Sequence, residues 1–493
     1  MARRCPTAPP RVTKLGDEFN NKCRISQLQF KNYMAPILLR TNEMLATNLQ
    51  NWIIALFFAL FGRISAAAPI DAPQPSNELF PLSEAPVVGL SAPRTEAPKL
   101  ESIERWQKLR SIILRDFASR ISNEFHVGEG LRERTEFWFD VYTRYGEAHH
   151  LIHHALYPWI VYRVVDATAT LQDGKGPPWL RQKQAEKMAQ LQAREIRRAL
   201  WRLSKRNEFS GLEGLEKDLY HQLAQLPGPR KKIFQVAARQ VRSQLGQKDF
   251  FQAGLVNSSR YLPYMEDEFA RLNLPIELTR MPFVESSFNE NARSKVGASG
   301  IWQIMPRTGR AYMIVNNTID ERNSPLKATV IAGRLLHSYN HQLRSWPLTI
   351  TSYNNGIGNI QKAVRKVGSN DLTEIIARYH RGEFRFASSN FYTCFLAALY
   401  AEKYHELIFK EVPREPPQDH EILRLAGRTS VRHLEKITGL LAKDLLRYNL
   451  DIKAALRAGG ALPRGFQLHL PPGYKDRLMR QTSTKDYSSQ PSA

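Results

Sequence analysis

Leu274-Pro275-Ile276-Glu277-Leu278-Thr279-Arg280-Met281-Pro282-Phe283-Val284-Glu285-Ser286-Ser287-Phe288 is the stretch from which the rest of the chain can be read. Leu274, Leu278, Met281 and Phe288 fall at helical spacings of four, three and seven. Glu285 lies on the same stripe, four residues after Met281 and three before Phe288. A carboxylate on an apolar face is costly unless it is paired or protonated. Burial would raise its pKa towards the range of a general acid working near neutral pH. A glutamate at the edge of such a face could equally reach water or a nearby arginine. The stretch by itself leaves both readings open.

Working outward, Ser294-Lys295-Val296-Gly297-Ala298-Ser299-Gly300-Ile301-Trp302-Gln303-Ile304-Met305-Pro306 is a small-residue turn followed by an aromatic, an amide and a thioether. Gly297 and Gly300 permit a tight loop and close approach of backbone to a ligand. Trp302 offers an apolar face on which a sugar could stack, and Gln303 offers donors and an acceptor. Further on, Thr351-Ser352-Tyr353-Asn354-Asn355-Gly356-Ile357-Gly358 gathers a phenol, two amides and two glycines at the end of an apolar helical run.

In this order and spacing the three segments resemble the lytic transglycosylases of glycoside hydrolase family 23, which have a lysozyme-like fold. The resemblance runs over roughly 258–402 and is nearest to the membrane-bound type D branch. It rests on Glu285-Ser286, on the run from Gly297 to Pro306, and on Tyr353 to Gly356. Asp320 to Pro325 with Ala328-Thr329 resembles the family's approach to its next helix. The resemblance implies that Glu285 is the catalytic acid and base. It implies that Ser294, Gln303 and Met305 line sugar subsites, and that Tyr353 and Asn354 position the substrate's N-acetyl group or the catalytic carboxylate. The family's further tyrosine follows a Glu-Thr pair. Here the corresponding stretch is Ala387-Ser388-Ser389-Asn390-Phe391-Tyr392, which makes Tyr392 the equivalent or, one residue out of step, Phe391.

Most glycosidases use two carboxylates. No second acid occurs within the three motifs, and Asp320 and Glu321 read as turn residues. A lone carboxyl suits a substrate that supplies its own nucleophile, one group acting first as acid and then as base. Neither a metal nor an organic cofactor is required. The implied substrate is the peptidoglycan strand. A lysozyme-type hydrolase on the same fold and a non-catalytic wall-binding protein are the competing readings.

The rest of the chain fits an exported protein. Of 493 residues, 70 are Lys or Arg and 47 Asp or Glu, a formal charge of +23. Such a surface suits polyanions. The absence of zinc-finger spacing and of an RNP-like aromatic pattern disfavours nucleic acid. Trp52 to Phe61 is an apolar run followed by Ala66-Ala67-Ala68, the pattern of a signal peptide within a leader over 1–68. Left uncleaved, it would keep the chain at a membrane. The implied location is the periplasm or cell envelope. Residues 69–99 form a Pro-rich linker. Residues 100–246 read as a helical region and 250–410 as the lysozyme-like domain. A second linker covers 411–420, and a polar tail follows from 474.

The expected fold is thus mainly α. Residues 421–473 read as strand, two short helices and strand, and resemble a LysM module, a βααβ unit that binds N-acetylglucosamine-containing chains. The opening Gly427-Arg428-Thr429-Ser430 departs from that pattern, which leaves a structural cap as the alternative. Within the helical region, Glu147-Ala148-His149-His150-Leu151-Ile152-His153-His154 would stack His149 over His153 on a helix, a spacing able to hold zinc. The aromatic flanks favour structural histidines instead. Cys394, in an apolar run, reads as a small core residue.

Overall fold

The computed structural model describes residues 100–475 apart from Glu383 and Lys410. The leader, the Pro-rich linker and the tail beyond 475 lie outside the described residues. The described chain is mainly helical. Among the described residues no helix is long and apolar enough to cross a membrane.

Three apolar cores organise it. The largest joins Ile113, Trp138, Phe139 and Tyr142 to Phe251, Met281, Phe283, Trp302 and Phe395. It therefore crosses residue 246 rather than dividing there. The helix Arg132–Thr143 packs lengthwise on the helix Phe386–Lys403, which is buried along most of its length and carries Cys394 at its centre. Buried Arg134 ties the two by donating to Asn390 Oδ1 at 2.9 Å, and Trp138 Nε1 donates to the same oxygen at 3.0 Å.

The second core corrects the helical reading of 100–246. A three-stranded antiparallel sheet, β1 (His149–His154), β2 (Val161–Asp166) and β3 (Val241–Leu245), runs in the order β2-β1-β3. It packs against the long helix Pro178–Lys205 and the helix Arg230–Arg239 through Ile152, Val165, Ile196, Leu200 and Phe234. The four-histidine run is the central strand, not a helix. An interval of four fits a helix face, but it also fits one face of a strand, and the β-branched partner Val161-Tyr162-Arg163-Val164-Val165 decides the matter. On a strand His149 and His153 stand about 13 Å apart, too far to share one ion. His153 is fully buried against the rings of Phe137 and Phe386, and burial pulls its pKa down to about 3.

The third core belongs to residues 421–470. β4 (Glu421–Arg424) pairs with β7 (Gln467–Leu470), and β5 (Thr429–Ser430) with β6 (Ala461–Leu462), all antiparallel. Between them lie the helices Val431–Thr438, Ala442–Tyr448 and Lys453–Ala458. The expected strand–helix–helix–strand order is present, with a third short helix and an inner strand pair added. Asn449 binds β7 in both directions, its Nδ2 donating to His469 O at 2.7 Å and its Oδ1 accepting from His469 N at 2.8 Å. Ile319, from the preceding domain, is buried within this core beside Leu434, Leu445 and Leu468.

Candidate active site

The residues up to Glu285 do not form one continuous helix. A 3-10 turn, Ile276–Arg280, passes into a five-residue α-helix, Met281–Glu285, that stops at the glutamate. The N–H groups of Ser286 and Phe288 both return to the Pro282 carbonyl, at 3.0 and 3.2 Å. Ser287 and Phe288 take φ of 50° and 53°. Two successive non-glycine residues in the left-handed region are costly and occur where surrounding structure imposes them. Here the imposing structure is Phe288, fully buried against Phe283 with ring centroids 4.7 Å apart. Arg280, buried at the start of the helix, pairs with Glu402 at 3.0 Å and with Glu266. These contacts fix the short helix at both ends.

Glu285 itself is 9% exposed, and among the described residues no cation or hydrogen-bond donor pairs with its carboxyl. Burial alone pushes its pKa up to about 8, with no contribution from a second carboxylate. Of the two edge-of-face alternatives, pairing with an arginine does not hold. Two phenols feel its charge. Burial first, and then Glu285, raise the pKa of Tyr353; for Tyr142 the order is burial, Cys394 and Glu285.

Ser286 anchors the neighbouring loop, its Oγ donating to Ile301 O at 2.8 Å. Within that loop Ser294 Oγ accepts from Ala298 N at 2.9 Å, and Ser299 bridges both Arg293 and Ile304. Gly300, at φ 77°, lies so close to the next segment that a Cβ would stand 2.0 Å from Arg322 O. Buried Arg322 holds the loop from behind, donating to Gly297 O at 2.8 Å and Ile304 O at 3.0 Å. Its remaining donors engage both oxygens of Asp320. Asp320 is thus the partner of a structural arginine.

Gln303, also left-handed at φ 47°, donates through Nε2 to Ala292 O and Gly300 O, while its buried Oε1 has no partner. Met305 is half-buried at the start of the helix Pro306–Tyr312. Trp302 is not a platform for sugars. It is fully buried, stacked on Phe269 at 5.8 Å, and its Nε1 donates to Thr329 Oγ1 at 2.9 Å. Burial of the indole serves the loop's footing and not its surface.

Tyr353 and Asn354 end the helix Trp346–Asn355. Tyr353 Oη donates to Trp302 O at 2.9 Å, and Asn354 Oδ1 accepts from Ser388 Oγ at 3.2 Å. The structure therefore ties the helix end at Glu285 and Tyr353 to one loop, Ser286 through Ile301 O and Tyr353 through Trp302 O, and it is this loop that carries Ser294, Gln303 and Met305. Tyr392 is not linked to Glu285 by any contact among the described residues. It is buried, stacks with Phe395 and is influenced by Tyr400 and Glu124, not by Glu285. Ser388, one turn earlier, is the residue of that helix that reaches the Asn354-Asn355 pair. Sequence reasoning missed Tyr142, Ser388 and Arg322. The first lies outside every motif, and the other two belong to stretches whose local pattern reads as helix start and turn.

Residues 270–376 match the family model described as Transglycosylase SLT domain. The chain is 31% identical over 128 residues to "Membrane-bound lytic murein transglycosylase D" of Escherichia coli (strain K12), covering 26% of this chain and 28% of that protein. It is also 31% identical over 109 residues to "Putative tributyltin chloride resistance protein" of Alteromonas sp. (strain M-1), covering 22% of this chain and 53% of that one. The chain thus spans about a quarter to a half of the length of these relatives. The family match and the similarity to the Escherichia coli protein argue for a transglycosylase SLT domain around Glu285.

Proposed function

We propose that the chain is a peptidoglycan lytic transglycosylase of the cell envelope. It cleaves the β-1,4 bond between N-acetylmuramic acid and N-acetylglucosamine and leaves 1,6-anhydromuramyl ends. The observation that carries the proposal is the solitary carboxyl of Glu285, buried, unpaired and raised to about 8. Such a group is protonated near neutral pH and can act as an acid; once it has given up its proton it is a strong base.

The steps balance with no added reactant. Glu285 gives its proton to the glycosidic oxygen, and the bonding pair of the C1–O bond leaves with the N-acetylglucosamine hydroxyl. The muramyl 6-hydroxyl oxygen then bonds to C1, and the Glu285 carboxylate takes its proton. The carboxyl is restored and no water is consumed. Holding that hydroxyl against C1 contributes through orientation. In this reading Ser294, Gln303 and Met305 border the sugar subsites. Tyr353 and Asn354 set the opposite wall. Residues 421–470 act as a LysM-like wall-binding unit, and the leader exports the chain.

Mass analysis of digested sacculi tests the reaction. Wild type should release anhydro ends and Glu285→Gln none. Fragments one water heavier would instead assign a lysozyme-type hydrolase. Digestion unaffected by Glu285→Gln would refute the mechanism, and a wild-type chain that binds sacculi without cutting them would favour the wall-binding reading.

A further inference from the structure

A groove of about 580 Å³ opens between the loop 314–319 and the carboxy-terminal module, lined by Ile314, Asn317, Thr318, Arg428, Pro463 and Arg464. No motif points to it. Its two sides are fixed to each other. Asp320 N donates to Asp451 O at 2.9 Å, and Ala455 N to Thr318 O at 3.2 Å. Lys327 Nζ pairs with buried Asp451 at 2.7 Å and lies 3.7 Å from the Phe466 ring centroid. Asn316 Oδ1 accepts from the N–H groups of Thr318 and Ile319 and shapes the loop.

Arg428 and Arg464 are both exposed, and among the described residues neither pairs with a carboxylate. Two unpaired guanidiniums on one wall of a groove are suited to carboxylates, which they bind through paired N–H donors. Ile314 and Pro463 supply apolar contact for small side chains, and Asn317 an amide suited to a peptide backbone.

We propose that this groove binds the peptide stem of the glycan strand through the stem's free carboxylates. The inference rests on the wall-cleaving function above. Groove and catalytic loop are joined by one segment. Ile319 borders the groove, and Arg322, three residues on, holds the loop Gly297–Ile304 at the catalytic site.

The test is direct binding of an acetylated stem tetrapeptide with free carboxylates to the full chain, beside the same peptide with every carboxylate amidated. The free acid should bind and the amide should not. Arg428→Ala with Arg464→Ala should weaken binding roughly tenfold, and Asn317→Asp, which adds a negative charge to the groove, should weaken it as well. No binding at millimolar peptide, equal binding of the amide, or binding unchanged in both variants would overturn the proposal. The peptide has no glycosidic bond, so its binding is independent of Glu285, whereas the product analysis tests the reaction alone.

Discussion

Replacing Glu285 with glutamine should stabilise the fold near neutral pH while abolishing wall cleavage. A carboxyl whose pKa is about 8 in the fold and 4.5 outside it holds its proton more tightly in the native state. Its contribution is fully present below pH 4.5. It is lost progressively as pH rises to about 8, because the unfolded chain ionises first. The loss is about 1.4 kcal/mol per pH unit across that interval, so near pH 7 the buried carboxyl costs about 3 kcal/mol relative to a neutral isostere. Glutamine has nearly the same shape and never ionises. Stability should therefore be similar for the two proteins at pH 4.5 and diverge steadily above it. In a unit of roughly 300 residues, 1 kcal/mol moves Tm by about 1.5 °C, so a divergence of about 3 kcal/mol is still readable by thermal unfolding. A Tm difference that stays constant from pH 4.5 to 8 would refute the reasoning, since it would mean that Glu285 is not buried as an unpaired acid.

Three further outcomes follow from the same contacts. The alkaline limb of kcat/KM for wall cleavage should fall tenfold per pH unit above about 8, the free-enzyme value of the acid; a limb beginning near pH 5 would contradict it. Gly300→Ala should cost about 3 kcal/mol or more and most of the activity, because the new Cβ collides with the Arg322 carbonyl at a left-handed φ; an unchanged Tm would contradict the assigned close approach. Lys327→Met leaves the Asp451 carboxylate buried without its cation, a loss of about 3–5 kcal/mol. It should expose 411–420 to limited proteolysis, and adding Asp451→Asn should restore much of the resistance.

The helical character of the chain, the three motif segments and the order of elements in 421–470 could be read from local pattern. The limits of that reading have identifiable causes. The spacing Leu274 to Phe288 is helical, yet the helix stops at Glu285 because Phe288 is drawn back into the core beside Phe283. His149 to His154 carries an interval common to helices and strands, and only the pairing with β2 and β3 resolves it. Trp302 has the composition of a sugar platform, but its indole N–H is satisfied inside the core by Thr329. Tyr392 fits a motif by position, and in the fold its ring is buried and stacked on Phe395.

By itself the sequence singled out one carboxyl as the candidate acid. One glutamate on an apolar stripe, followed at fixed intervals by a glycine-bounded loop and a Tyr-Asn turn, is a local property of the chain. Tertiary structure decided what surrounds it. Tyr142 and Glu285 are far apart in sequence and become neighbours only because the helix Arg132–Thr143 lies along Phe386–Lys403. Arg322 holds a loop that it does not precede, and Ile319 completes the core of a module that begins a hundred residues later. Burial and electrostatic proximity depend on contacts between distant segments, so a raised pKa for Glu285 is only conceivable from its sequence and takes its cause, burial, from the fold that closes around it.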